Sequence, residues 1–229
     1  MIKFKVKIYL SGVFMVKIKI SVLILFVLFL AGCMGPPVRE ALKLDMSVPV
    51  GKIEDNEFVG IRYPLRITAP PNWKVTMEIP DFMESLGYEK DGLEESQLFV
   101  FNPVTQSNLQ IDFTPAGRYS KFSQESIEWI TTAAMGSFKE ELEKDYGKGI
   151  NVEYAPTIPY SLKGVPYAAK KYATYTLKGV KREQGWIYGF TEPYQIFILY
   201  MILEKEGTSN NDREDLKKAL DSFEVFLKK

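Results

Sequence analysis

The sequence predicts an α+β domain, a three-layer α/β/α sandwich around a mainly antiparallel central sheet. Three observations predict it. Residues 194–204 place Tyr194, Ile196, Ile198, Tyr200 and Ile202 on one face and Phe197, Leu199, Met201 and Leu203 on the other. A strand apolar on both faces needs a layer over each. Residues 124–145 carry Ile127, Ile130, Ala134, Phe138 and Leu142 at helical spacing, which makes an amphipathic helix. A last helix is expected after Ser209-Asn210-Asn211-Asp212, with Leu216, Ala219, Leu220 and Phe223 turned inward.

The chain opens on a basic segment. Lys3, Lys5, Lys7, Lys17 and Lys19 precede an apolar run over residues 20–30, and no acidic residue occurs before Glu40. That run is long enough for a signal-peptide core and too short for a typical membrane span. It ends in Leu30-Ala31-Gly32-Cys33, and Cys33 is the only cysteine. This tetrapeptide resembles the lipobox of bacterial lipoproteins. The resemblance implies recognition of Leu30, Ala31 and Gly32 by the signal peptidase. It also implies thioether linkage of Cys33 to diacylglycerol, with acylation of the new amino terminus. Residues 1–32 are then a signal peptide, with Met15 as a second candidate start, and the mature chain is exported and held to a membrane by lipid. Met34 stands where enteric lipoproteins retained at the inner membrane carry aspartate. That implies the periplasmic face of the outer membrane if the organism has one. An uncleaved helix with an incidental cysteine is the alternative reading.

Five of the 29 basic residues and none of the 29 acidic ones lie before Cys33, so the mature part has a net charge of −5. Such a domain lacks the basic footprint of a nonspecific nucleic-acid binder. There is no histidine. That removes Ser-His-Asp and Cys-His hydrolysis, HExxH metalloproteases and histidine switching. With Cys33 committed to lipid, disulfides and cysteine metal sites within one chain are excluded.

In order along the mature chain, residues 33–58 hold Pro36, Pro37 and Pro49 among scattered charges and read as a lipidated tether, with at most a short helix over 38–44. The globular domain is expected over 59–229. Residues 64–70 form a proline-bounded strand, followed by a strand over 73–77 and a brief helix over 81–87. Residues 97–101 and 109–113 form a hairpin turning at Asn102-Pro103. In its second strand Leu109, Ile111 and Phe113 alternate with Gln110 and Asp112, so one face only should be buried. Ser123 caps the amphipathic helix, Glu140 and Lys144 pair on its outer face, and Gly147 and Gly149 stop it. Strands follow over 151–160, 165–177, 185–191 and 194–204.

Several of these stretches are similar to the PsbP and Mog1 superfamily, including DcrB-like lipoproteins. They are Ile67-Thr68-Ala69-Pro70-Pro71-Asn72-Trp73, the Phe101-Asn102-Pro103 hairpin and the long middle helix. Trp186-Ile187-Tyr188, residues 194–203 and Leu220-Asp221-Ser222-Phe223 complete the likeness, which spans about 60–227. It implies the sandwich fold and a non-enzymatic accessory or binding role, with no catalytic apparatus to carry over.

Few residues suggest chemistry. Tyr167 and Lys171 have dehydrogenase spacing, yet no Gly-rich strand-turn-helix accompanies them, so strand residues are the expectation. Asn210, Asn211, Asp212, Glu214 and Asp215 lack the ligand spacing and glycine of a calcium loop, and helix capping explains them. Lys178, Lys181 and Arg182 form a basic hairpin tip that a solvated turn would also produce. With Trp186 they make the tentative surface-binding set, able to meet lipid phosphate or an acidic partner. Trp186, Tyr188, Phe190 and Tyr194 cluster, mostly as core.

The expectation is a monomeric, non-catalytic envelope lipoprotein without cofactor or metal, bound to the membrane and to an envelope protein partner. A binder of a small ligand or hard cation is the second reading, favoured by an apolar pocket with converging polar groups. A histidine-free hydrolase is the third, and it would need two convergent carboxylates or a Ser-Lys pair.

Overall fold

The computed structural model describes residues 39–84, 97–117, 121–204 and 211–226. The chain divides into two compact units, Met1–Arg39 and Glu40–Lys229. The second unit carries the fold. Residues 40–58, expected as tether, belong to this unit, and residues 40–45 are not helical. Phe58 is 1 % exposed in the main core, and Leu44 and Val50 pack against it. Prolines and charges made this stretch read as a linker, but Leu44, Val50 and Phe58 pack into the main core.

The first hairpin is β1 (Gly51–Glu54) and β2 (Glu57–Gly60). Asp55 and Asn56 both take positive φ, 48° and 64°, which a two-residue hairpin turn requires. β3 (Leu65–Thr68) follows, then β4 (Lys74–Thr76) and a single helical turn, α1 (Asp81–Glu84). β5 (Gln97–Phe101) and β6 (Asn108–Pro115) form the expected hairpin. Helix α2 (Gln124–Ala133) starts at Ser123, whose Oγ accepts from the Ser126 amide while Ser126 Oγ accepts from the Ser123 amide.

The single helix expected over 124–145 is two. α2 ends in tight turns, with the Met135 and Gly136 amides donating to Thr132 and Ala133 carbonyls, and α3 (Phe138–Tyr146) begins afresh after Ser137. Gly136-Ser137 weakens the helix at this point. Each piece then lies over its own patch of sheet: Ile127 over Ala169 and Phe190, and Phe138 and Leu142 over Ala173, Tyr175 and Trp186. The i,i+4 ion pair of α3 joins Lys139 and Glu143.

β7 (Val152–Tyr154) and β8 (Ile158–Pro159) are short. β9 (Tyr167–Leu177), β10 (Val180–Thr191) and β11 (Tyr194–Glu204) are the long strands. α4 (Asp212–Ser222) and β12 (Glu224–Val225) close the unit. Among the described residues every pairing between two named strands is antiparallel. One sheet runs β4-β5-β6-β11-β10-β9-β7, with β8 on β9, and a smaller one runs β1-β2-β3-β12.

β11 sits inside the large sheet and is covered on both faces, as its two apolar faces require. Ile196, Ile198, Tyr200 and Ile202 join the main core with Leu216, Ala219 and Leu220 of α4 and Leu65 and Ile67 of β3. Phe197 and Leu199 face the α3 cluster. The layer over the first face is therefore a helix with a small sheet, where a helix alone was expected. Gln110 and Asn108, on the face of β6 expected to be polar and open, are also buried.

Asn56 ties the two sheets together. Its Nδ2 donates to the Trp73 carbonyl at 2.8 Å, and its Oδ1 accepts from the Val75 amide at 3.2 Å. The outer edge of β4 is thus partnered by a side chain. At the far end Glu224 of β12 accepts from Arg66 at 2.7 Å and Lys163 at 2.9 Å.

Candidate functional site

Two constellations lie on opposite faces of the β9–β10–β11 region. Alternation along β10 decides which residues enter each. Arg182, Gln184 and Trp186 point toward α3 and Tyr188 toward α2, while Glu183 and Ile187 point toward α4.

The α3 face holds an open groove of about 370 Å³. Register builds it, because Gln184 stands opposite Met201, Trp186 opposite Leu199 and Tyr188 opposite Phe197. Phe138 and Leu142 of α3 form the wall, and the Phe138 ring meets the Trp186 indole edge-on at 4.9 Å. The polar lining is Arg182 and Gln184 from the sheet and Glu141 and Asp145 from α3. The Tyr175 hydroxyl donates to Gln184 Oε1 at 2.9 Å. Burial pushes the Tyr175 phenol up, and the Arg182 charge beside it opposes that shift.

The α4 face holds a charge network that runs from buried Glu183 out to the surface. Tyr200, fully buried, donates to Glu183 Oε1 at 2.9 Å, and Arg213 pairs with Glu183 Oε2. Arg213 also donates to Glu204 at 2.9 Å, and Lys181 pairs with Glu204 at 3.2 Å. Lys170 Nζ lies 4.8 Å from the Tyr200 ring centre, 5.6 Å from Tyr172 and 5.7 Å from Tyr160. Burial holds the Lys170 ammonium below its ordinary range, against the pull of Glu183. Burial, with the Glu183 charge added, raises the Tyr200 phenol far above its own. The network clamps α4 to the ends of β10 and β11.

The surface set of Lys178, Lys181, Arg182 and Trp186 does not form one patch. Trp186 is 7 % exposed and packs in the core beneath α3, which corrects its expected surface role. Period-2 alternation in β10 puts position 186 on the helix-covered face. Lys178 and Gly179 form the β9–β10 turn at positive φ, with Lys178 Nζ 5.7 Å from the Tyr146 ring. Lys181 is committed to Glu204. Of the four, the groove takes Arg182 and Trp186 together.

Tyr167 and Lys171 are strand residues of β9. Asp212 is buried and accepts from Asn102 Nδ2 at 3.1 Å, where a role in capping the helix was expected. Asn211 occupies the cap without a side-chain bond. Leu30, Ala31, Gly32 and Cys33 lie outside the described residues. Sequence reasoning missed Phe138, Tyr175, Gln184, Leu199 and Met201 as one lining. Their strand alternation was visible, but the pairing register that aligns them was not. Among the described residues no three Asp, Glu, His or Cys side chains converge, and no helix is long and apolar enough to cross a membrane.

No protein-family model and no curated protein matches this chain. Among solved structures it is similar to the solution structure of cyanobacterial PsbP (CyanoP) from Synechocystis sp. PCC 6803. That likeness has a TM-score of 0.48 and 9 % identity, covering 78 % of this chain and 99 % of that one. It is also similar to the crystal structure of a protein from Bacteroides thetaiotaomicron VPI-5482. There the TM-score is 0.43 and the identity 10 %, over 76 % of this chain and 50 % of that one.

Proposed function

We propose that this chain is an exported lipoprotein, lipidated on Cys33, whose PsbP/Mog1-like, DcrB-like unit serves a membrane complex as a non-catalytic accessory protein. The observation that carries the reading is the Leu30-Ala31-Gly32-Cys33 tetrapeptide closing an apolar run, with the folded unit starting at Glu40. Six residues separate Cys33 from Glu40. An extended chain of that length spans only about 20–25 Å, so such an anchor would hold the unit close to the bilayer. Two or three acyl chains hold stably where one does not, at about 0.8 kcal/mol per buried methylene.

Trp129 supports the protein-binding part. It is 71 % exposed on α2, on the side away from buried Ile127 and Thr131. An exposed tryptophan contributes nothing to the core and suits an interface anchor.

The test is palmitate labelling and membrane fractionation of the full chain beside Cys33→Ser, followed by in vivo crosslinking and affinity purification. Label and membrane retention lost in Cys33→Ser, with one stoichiometric envelope protein recovered by the parent and lost on Trp129→Ser, is the expected result. An unlabelled parent defeats the lipoprotein reading. A labelled parent that recovers no specific protein defeats the accessory reading.

A further inference from the structure

The groove beneath α3 ends in hydrogen-bond donors. Tyr175 occupies the acceptor oxygen of Gln184, so the amide NH2 is left to donate. Arg182, beside it, lies against the Tyr175 hydroxyl and makes no ion pair among the described residues, and its Nε has no acceptor there. A buried guanidinium N–H without an acceptor is costly, and an anionic oxygen supplied to it would relieve that cost. By contrast Arg66 and Arg213 are each paired with glutamate.

The rest of the lining is flat and apolar: Trp186, Phe138, Phe197 and Leu199. Glu141 and Asp145, exposed carboxylates of α3, stand along the same groove. They repel any negative charge placed along the helix, so one carboxylate fits only at the Arg182 end and a second has no favourable place. The volume lies toward the lower end of the range of about 300–1,000 Å³ typical of small-molecule sites.

We propose that this groove binds a small amphipathic monoanion, a flat ring system bearing one carboxylate. The ring would lie on Trp186, Phe138 and Leu199, and the carboxylate would accept from Arg182 and Gln184. The proposal goes beyond the accessory role and does not depend on lipid at Cys33.

Calorimetric titration of the full chain in detergent, with empty-micelle heats subtracted, tests it. The probes are naphthalene-2-carboxylate, naphthalene-2,6-dicarboxylate and 2-naphthylmethylammonium. One-site binding of the monocarboxylate is expected, with the other two about tenfold weaker or more. Arg182→Met should weaken the monocarboxylate about tenfold. Gln184→Glu, which keeps the arginine and adds a negative charge, should weaken it as well. Melting curves identify a variant that has lost its fold, and the other variant then decides. The proposal is overturned by absent saturable binding, by equal binding of the ammonium probe, or by affinity undiminished in a folded variant.

Discussion

Tyr200→Phe isolates one hydrogen bond at the centre of the α4 clamp. The Tyr200 ring lies in space that only a glycine opposite could leave, since a Cβ at Gly185 would sit 2.1 Å from it. Phenylalanine keeps that ring, its packing and its face toward Lys170, and removes only the hydroxyl donating to Glu183 at 2.9 Å. Glu183 is 6 % exposed, so water cannot readily replace the donor, and Arg213 remains on the other oxygen. A hydrogen bond to a charged group contributes about 1.5–3 kcal/mol. The expected destabilisation is about 2 kcal/mol, a fall in Tm of about 4–8 °C for a domain of this size. Urea unfolding of Tyr200→Phe, Glu183→Gln and the double variant measures it. The double variant should cost about 1 kcal/mol less than the two singles added, because Glu183→Gln removes the charge that strengthens the Tyr200 bond and leaves only a neutral one to lose. Additive costs, or a Tyr200→Phe change below about 0.5 kcal/mol, would refute the assignment of stability to this bond.

Three more outcomes rest on single contacts elsewhere in the fold. Asn56→Ala loses two hydrogen bonds and forces alanine into φ 64°, so it should cost about 2–4 kcal/mol in urea unfolding, while Asn56→Gly recovers the backbone part only. Gly164→Ala would place a Cβ 2.0 Å from the Val225 carbonyl oxygen at φ 79°, and hydrogen exchange should show β12 losing protection before the large sheet does. Glu204 is held below the usual carboxylate range first by its hydrogen bond from Arg213. A depressed folded-state pKa stabilises above the unfolded value and ceases to as pH falls through the folded one. The parent should therefore exceed Glu204→Gln in urea midpoint above about pH 5 and converge with it as acid is added.

Local pattern carried much of the fold. The residue pattern placed β9, β11 and the later part of β10, the two apolar faces of residues 194–204 demanded a layer on each side, and Ser123 marked the start of α2. These features need only the chain's own periodicity. The same periodicity failed where neighbours distant in sequence decide. Ile127 through Leu142 reads as one helical stripe, yet Gly136 lets each half settle on a different patch of sheet. Residues 40–58 look like linker until Phe58 meets a core made by strands over a hundred residues away.

The candidate site shows the same division. Arg182 and Trp186 stood out by residue type, but their surroundings did not. Trp186 is buried because position 186 shares a face with α3, and Arg182 lines a groove because it joins Gln184 along β10 beneath the same helix. The absence of histidine, the single cysteine at the end of an apolar run and the acidic balance of the residues after Cys33 are properties of the sequence alone. The second sheet, the clamp of Tyr200, Glu183 and Arg213, and the donor-ended groove were decided by tertiary structure. Pairing register and helix docking bring together side chains that no spacing along the chain relates.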